Sequence, residues 1–593
     1  MNSPVEKLAL IRAAMKQNGI DVYIIPSTDP HLGENIPDHW KIIPWLTGFT
    51  GSAATVVITV SFAGLWTDSR YFTQAETQLA HSEFKLVKPE PLMPSDFIDW
   101  LVNNIIQGSL IGFDGRTVSI TQSRQLEKRM EGKDISLRND CDLIDKLWTE
   151  RPPMPESVAF DHPVKFAGRD RSLKIEEVRE KMKKELIAYH LLTSPDDIMW
   201  LLNIRGNDVA YSPLLTSFAL VGGQELFLFA ERRKIPEKVE AELLKLGIVI
   251  YPYGDVAKVL SSLPEGSSIL ITPATTSVML YNAIPGKVRI VENISIPGRL
   301  KAIKNKTEID NLGKVMVKDG VALTRFFFWL ENSLGKQVMT EISLAEKLFE
   351  LRSQQSDFLE PSFSTIVAFN EHSALPHYSP TADSDAPVTE NGILLVDSGG
   401  QYMGGTTDIT RSVPTGVPEK QKKMDFTLVL KGHINLAIAK FPRGTKGYQI
   451  DLLGRRALWE KGMNYGHGTG HGVGYCLNVH EGPQNISPSD NKTAIEPGML
   501  LSNEPGIYRE GEYGIRTENL LICYEDEETE FGQFLKFDTI SLCYIEKSLI
   551  DKSLLDAKEV NWLNNYHSEV YSRLSPHLAG PEKEWLKEKT EPL

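Results

Sequence analysis

The run Tyr465-Gly-His-Gly-Thr-Gly-His-Gly-Val-Gly474 places two histidines four apart in a backbone made almost entirely of glycine. Four acids, Asp397, Asp408, Glu504 and Glu518, each stand beside a short apolar, strand-like run. His471 and these four carboxylates together would hold two hard divalent cations. Their four negative charges nearly cancel two dications and leave a bound hydroxide as the natural fifth anion. The set reads as the centre of a metallohydrolase.

The spacing says how the ligands would meet. Asp397 ends Gly392-Ile-Leu-Leu-Val-Asp397, and Asp408 lies in Thr406-Thr-Asp-Ile-Thr-Arg411 after a turn holding Gly399, Gly400, Gly404 and Gly405. Strands joined this way fold back antiparallel, so these two acids are expected opposite each other with their carboxylates on one face. Alone, the pair also fits a solvated hairpin with two surface acids. The histidine-glycine run alone also fits a flexible loop or an adventitious nickel site. His471 is the better ligand, which leaves His467 facing the substrate side of the loop. Glu504 follows Met499-Leu-Leu501 and precedes Pro505-Gly506. Glu518 closes Gly514-Ile-Arg-Thr-Glu518, where strand alternation puts Arg516 on its face. Taken singly, each glutamate reads as a surface residue.

These residues need a scaffold, and the chain is long enough to build one. At 593 residues it exceeds a single hydrophobic core, so roughly two to four domains are expected. With 41% hydrophobic and 24% charged residues it is an ordinary globular chain. The net charge of −14 argues against nonspecific binding to nucleic acid or an anionic membrane. Cys141, Cys476, Cys523 and Cys543 have no CxxC spacing and suggest buried thiols in a reducing cytosol. The start, Met1-Asn-Ser-Pro-Val-Glu-Lys7, lacks the apolar core of a signal peptide. No apolar run approaches the ~20 residues of a membrane span. The expectation is a soluble cytoplasmic protein.

An internal repeat organises the first half. A helix near Lys7 to Gln17 leads into Asp21 to Asp29, then Pro44-Trp-Leu-Thr-Gly48, then a strand pair at Thr55 to Thr59 and Gly64 to Thr67. A helix near Ile175 to Lys184 leads likewise into Ala188 to Asp196, then Met199 to Gly206, then a pair at Ser217 to Val221 and Glu225 to Phe229. Both copies read helix, buried strand, Trp-Leu helix end and hairpin, which predicts two related α/β modules. The proline-rich Glu150 to Glu156 marks one border and Ile296-Pro-Gly298 the next. Asn305 and Glu308 have capping-box spacing for a long helix to about Glu331. Helices are expected at Asp425 to Lys440 and Ile450 to Lys461. The domains are thus 1–150, 151–300 and 301–593, with the Lys- and Glu-rich tail from about 550 read as a surface extension.

The ordered motifs Leu394-Leu-Val-Asp-Ser-Gly399, Thr406-Thr-Asp-Ile-Thr-Arg411, Gly468-Thr-Gly-His-Gly-Val-Gly474, Ser502-Asn-Glu-Pro-Gly506 and Gly514-Ile-Arg-Thr-Glu-Asn519 resemble those of the pita-bread metallopeptidases, family M24. Leu375-Pro-His-Tyr378 and Leu477-Asn-Val-His-Glu-Gly-Pro483 resemble the X-Pro aminopeptidase branch (aminopeptidase P). Gly48 to Ala53, Trp66 to Phe72 and Leu202 to Asp208 look like the paired N-terminal modules of its cytosolic three-domain form, so the likeness spans the chain. The resemblance implies two creatinase-type N-terminal domains and a C-terminal pita-bread domain.

It also implies roles. Asp397 would chelate one metal, His471 and Glu504 the other, and Asp408 and Glu518 would bridge both. The ions would be two divalent cations, Mn²⁺ being the expected pair and Zn²⁺ or Co²⁺ the alternatives. Glu504 would shuttle the proton, and His377 and His480 would donate to substrate carbonyls. His467 would bind the residue after the scissile bond, and Arg516 would orient Glu518. The expected reaction releases the first residue of a peptide whose second is proline, by attack of a metal-bound hydroxide. Proline specificity comes from the resemblance, whereas dinuclear hydrolysis is supported by the residues. A homodimer without nucleic-acid or membrane partners is expected. Rival readings are an X-Pro dipeptidase (prolidase), a nonpeptidase binding protein on the same fold, and a metal-free creatinase-like hydrolase. The extra α/β module and the complete five-ligand set weigh against them.

Overall fold

A computed structural model describes residues 3–88 and 96–593. Met1 and Asn2, which open the stretch read against a signal peptide, lie outside them. The chain divides into two compact units. One comprises Met1–Asp161, Arg169–Ala210 and Leu214–Pro297, the other His162–Gly168, Tyr211–Pro213 and Gly298–Leu593.

The first unit carries the repeat as two six-stranded sheets. Counted along the chain, the first sheet takes Val22–Pro26, Ala54–Thr59, Ala63–Thr67, Lys85–Val87, Leu110–Phe113 and Ser136–Arg138 in spatial order 4-3-2-1-5-6. The second takes Tyr189–Leu192, Phe218–Gly222, Leu226–Phe229, Ile248–Tyr251, Ser268–Ile271 and Arg289–Glu292 in the same order. In both, the hairpin strands pair antiparallel and the outer strands parallel. The helices Pro4–Gln17 and Arg171–Lys184 precede the first strand of each copy. The copies meet through equivalent residues. Ser119 and Ser277, N-caps of corresponding helices, face each other in a β-bridge, where Ile120 N donates to Thr276 O (3.0 Å) and Val278 N to Val118 O (2.9 Å).

The second unit begins on the helix Lys306–Ser333, whose N-cap Asn305 and Glu308 form the expected capping box. Its buried residues include Leu312, Met316, Leu323, Phe326, Phe327 and Leu330, at the 3–4-residue spacing of one helical face. The unit includes two antiparallel sheets, and the helices Lys420–Ala437 and Gly447–Trp459 pack on each other, the first also against Leu500–Asn503 and Gly532–Thr539. One sheet holds Ile366–Phe369, Ile393–Ser398 and Ile409–Pro414. The other holds Lys440–Pro442, Gly532–Thr539, Asn519–Thr529 and Leu500–Asn503. All four cysteines are buried, as thiols packed like small apolar side chains should be. Among the described residues no helix is long and apolar enough to cross a membrane.

The tail is not a surface extension. Helix Ala557–Leu574 buries Leu563, Tyr566, Val570 and Leu574 in the main core of this unit, and Trp585 and Leu586 follow them in. The polar average of the segment hides a stripe spaced 3, 4 and 4 residues apart, which is one helical face. Leu563 and Leu574 are fully buried. Leu563→Ala and Leu574→Ala should therefore each cost about 2–5 kcal/mol, read as a lowered urea midpoint. Unchanged midpoints would return the tail to the surface.

Candidate metal centre

The two aspartates come from neighbouring strands. Ile393–Ser398 pairs antiparallel with Ile409–Pro414, with Asp397 opposite Thr410 and Ser398 opposite Ile409. Asp408 is thus set diagonally to Asp397, two positions from the directly opposed site expected of it. The offset arises because the connection forms a ladder of its own, Gly400–Tyr402 with Gly405–Thr406, in a separate sheet. Side-chain alternation still leaves Asp397, Thr410 and Asp408 on one face.

The two glutamates flank another ladder. Leu500–Asn503 pairs with Asn519–Thr529 so that Asn503 faces Asn519. Glu504 and Glu518 are the next positions outward, where the backbones leave each other. Glu504 N donates to Thr469 O (2.8 Å) and Glu518 N to Thr410 O (3.1 Å).

His471 arrives on the glycine-rich loop, whose backbone must pass close to its neighbours. A Cβ at Gly470 would lie 2.0 Å from Ser502 O, and one at Gly472 2.0 Å from Glu481 O. The ion pair Asp451–Arg455 pins this loop from the helix Gly447–Trp459. Asp451 accepts from Thr469 Oγ1 (2.7 Å), and Arg455 donates to the carbonyls of Tyr465 (2.8 Å) and His467 (2.6 Å). His471 Nδ1 lies 3.0 Å from Gly472 O, so it carries a proton and donates it. Nε2 points the other way, 3.3 Å from Asp408 Oδ2 and 3.4 Å from Glu504 Oε1. Ligand atoms of Asp408, His471 and Glu518 all lie within 4.8 Å of one another.

This arrangement has the electrostatics of a cation site. Burial, followed by the charge of Asp408, pushes the Asp397 carboxyl up, although the Arg516 guanidinium opposes the shift. Burial raises Glu504 as well, with His471 opposing. It raises Glu518 far above the ordinary carboxylate range, with Asp408, Glu504 and Asp397 adding to the effect. Asp397 Oδ1 is buried with no hydrogen-bond partner in the protein. A buried oxygen of that kind is costly unless something positive meets it. Nε2, opposite two carboxylate oxygens, is placed to share a cation with them. Four oxygen acids and one imidazole fit hard or borderline divalent ions.

The remaining predicted residues take these places. Arg516 donates to Asp397 Oδ2 at 2.5 Å, not directly to Glu518. It reaches Glu518 through Thr410, accepting no proton itself: Arg516 Nε donates to Thr410 Oγ1 (3.2 Å), which donates to Glu518 Oε2 (2.7 Å). The link to Glu518 thus runs through one intervening hydroxyl, Glu518 lying beyond the end of the strand Tyr513–Arg516. His480 meets the His471 ring edge-on, with centroids 4.3 Å apart. His467 Nε2 lies 2.8 Å from the Tyr508 hydroxyl, which also accepts from Arg516 Nη1 at 2.6 Å. His377 is half-buried on a segment held from both sides. Pro376 O accepts from Arg516 Nη2 (3.3 Å), and Tyr378 OH donates to the buried Glu341 (2.8 Å). Sequence reasoning missed Tyr508, Thr410 and Ser502. Tyr508 carried a usable signal, being the second strand residue after Pro505-Gly506 and on the strand paired with that of Arg516. Burial pushes its hydroxyl up to about 12.

With this geometry in place, comparison with known proteins gives a consistent result. Residues 310–525 match metallopeptidase family M24, and residues 533–593 match the C-terminal region of peptidase M24. Residues 7–146 and 150–308 each match a creatinase/prolidase N-terminal domain. The Xaa-Pro aminopeptidase app-1 of Caenorhabditis elegans is 38% identical over 99% of this chain and 100% of its own length. A crystal structure of X-prolyl aminopeptidase from that organism, described as a cytosolic enzyme with a di-nuclear active site, superposes with a TM-score of 0.95. It is 37% identical and covers 100% of both chains. An Xaa-Pro dipeptidase from Bacillus anthracis shares the fold at a TM-score of 0.51 and 23% identity, over 63% of this chain and 98% of its own. The chain belongs to metallopeptidase family M24, in its Xaa-Pro aminopeptidase group, with two creatinase-type N-terminal domains ahead of the pita-bread domain.

Proposed function

We propose that this protein is a metal-dependent aminopeptidase that releases the N-terminal residue from peptides with proline in second position. The observation that carries the reading is the convergence of His471 Nε2, Asp408 and Glu504 beside the partnerless Asp397 Oδ1, in a chain alike from end to end to an Xaa-Pro aminopeptidase. Asp397, Asp408, His471, Glu504 and Glu518 would hold two divalent ions, with Mn²⁺ favoured by the oxygen-rich donor set. When bound, such a pair polarises a carbonyl and activates water at neutral pH.

The chain's own groups do the rest. Glu504, whose burial raises its proton affinity, takes the proton of the attacking water and passes it to the proline nitrogen as that nitrogen leaves. His480, against the His471 ring, and His377, on its anchored segment, donate N–H bonds to substrate carbonyls, one of them to the developing oxyanion. His467, tethered to Tyr508, binds the residue after the scissile bond. Arg516 holds Asp397 in place and leaves its other oxygen for a cation. An X-Pro amide has no N–H, so a site reading it needs no acceptor there. We further propose domains at 1–150, 151–300 and 301–593, a cytoplasmic location consistent with four buried cysteines that lack CxxC spacing, and a symmetric homodimer.

Three outcomes test this reading. The first concerns protons. Asp397, Glu504 and Glu518 bind protons more tightly in the folded, metal-free protein than in the unfolded chain. Their stabilising contribution is therefore full below the unfolded values of about 4 and is lost as pH rises through the folded ones. Cations displace those protons, so the gap in melting temperature between Mn²⁺-loaded and chelated protein should widen from about pH 5 to about pH 8. A gap independent of pH would contradict the assignment.

The second separates holding metal from doing chemistry. Asp408→Asn should abolish turnover and Mn²⁺ uptake with the fold retained. His480→Ala should keep its metal and lose roughly 10²–10³-fold in kcat. A His480→Ala protein that loses metal but regains full kcat when replete would make His480 a ligand instead.

The third concerns the substrate. X-Pro-X tripeptides and longer peptides should be cut after the first residue, and N-acetylation should stop cleavage by removing the amine that sits near Asp397. Hydrolysis of X-Pro dipeptides alone would make this a prolidase.

A further inference from the structure

Behind the glutamates, the ladder Leu500–Asn503 with Asn519–Thr529 ends on a single side chain. His433, on the helix Lys420–Ala437, is fully buried. Its Nδ1 lies 3.1 Å from Asn503 O and its Nε2 lies 3.0 Å from Asn519 Nδ2. Asn503 Nδ2 donates back to the His433 carbonyl at 2.9 Å.

The chemistry of the partners fixes the ring. A carbonyl only accepts, so Nδ1 bears the proton. Arg411 Nη2, which only donates, lies 2.8 Å from Asn519 Oδ1, so the amide end of Asn519 faces His433 and Nε2 accepts from it. Both bonds coexist only in the neutral Nδ1–H tautomer. Burial, reinforced by the nearby Arg411 charge, keeps the ring in that form by lowering its pKa to about 3.

The place of this strut matters more than its strength. Asn503 and Asn519 are the last directly paired residues before the strands part, and Glu504 and Glu518 are their immediate neighbours. Each glutamate is joined directly in the chain to one of these asparagines, and the His433 ring bonds the asparagine residues, so His433 acts on the glutamates through them. Metal sites tolerate only about 0.2 Å in their ligand distances. We propose that His433 is a positioning residue which, by tying Asn503 to Asn519, sets the separation of Glu504 and Glu518 across the cations. The proposal rests on reading those two glutamates as ligands. The tail supports the same point from behind, with Trp562 edge-on to His433 at 5.8 Å and the Tyr566 hydroxyl 3.2 Å from Asn519 Oδ1.

The test compares full-length wild type, His433→Phe and His433→Gln. Phenylalanine keeps the volume and removes both bonds, whereas the glutamine amide can donate to Asn503 O and accept from Asn519. Each protein is stripped with chelator, checked for folding by its melting curve, and titrated with Mn²⁺ in a calorimeter. kcat and KM on an X-Pro-X peptide are measured alongside. His433→Phe should bind Mn²⁺ about 10–100-fold more weakly and lose kcat at limiting Mn²⁺ while KM holds. His433→Gln should recover most of the affinity. A folded His433→Phe with wild-type Mn²⁺ affinity would overturn the proposal, and so would a His433→Gln as weak as His433→Phe. If His433→Phe does not fold, His433→Asn, which keeps a donor for Asn503 and is too short for Asn519, replaces it under the same criterion. Wild-type protein that takes up no Mn²⁺ would sink the metal-centre reading and the strut together, whereas normal uptake by every variant sinks the strut alone.

Discussion

Mutual repulsion among four carboxylates in one buried place is the constraint on which the second unit is built. Desolvation and like charges push three of them up, and a fold that gathers them must supply positive charge or lose stability as they ionise. Part of that charge is built in. Arg516 binds Asp397, and the fully engaged Arg411 donates to the carbonyls of Thr410 (2.9 Å) and Glu518 (2.6 Å) and to Asn519. Both guanidiniums are fixed by several partners, so they stabilise anions without moving. Protons relieve the rest in the metal-free fold, and bound cations would take their place.

Rigid support follows from the same need. A cation-binding set is useful only if its spacing survives when its charges change, and here the candidate ligands are backed by hydrogen bonds that fix their backbone. The glycine-rich loop is pinned by the Asp451–Arg455 pair through Thr469 and two carbonyls. Ser502 ties the His471 backbone to Glu504, accepting from His471 N at 3.0 Å and donating to Oε1 at 3.1 Å. Buried polar networks of this sort contribute little net stability and mainly select one arrangement. Asp451 and Arg455 lie on the helix Gly447–Trp459, whose Ala457 and Leu458 enter the apolar core, so the core that fixes that helix also fixes the loop carrying His471.

Much of the architecture was legible because it follows local rules. The repeat in the first half appeared as matched helix, strand and hairpin signals, and the two sheets share one strand order. The long helix from Lys306 was announced by Asn305 and Glu308, since a capping box depends on residues three apart and on nothing distant. The tail was misread for the converse reason. Its average composition is that of a solvated helix, and only a partner surface elsewhere in the chain shows that Leu563, Tyr566, Val570 and Leu574 have somewhere to go.

The sequence by itself determined the chemical inventory: which side chains could hold cations, that glycine must surround His471, and the order of strands that brings acids to strand ends. Those properties reside in residue type and short spacing. Tertiary structure alone decided the pairings. It set Asp408 diagonal to Asp397 because the connection between them folded into its own ladder, gave Arg516 to Asp397 because Glu518 lies past its strand end, and put His433 behind both glutamates although it is separated from Asn503 by 70 residues. Register and long-range contact depend on the packing of the whole unit, which no local window of sequence contains.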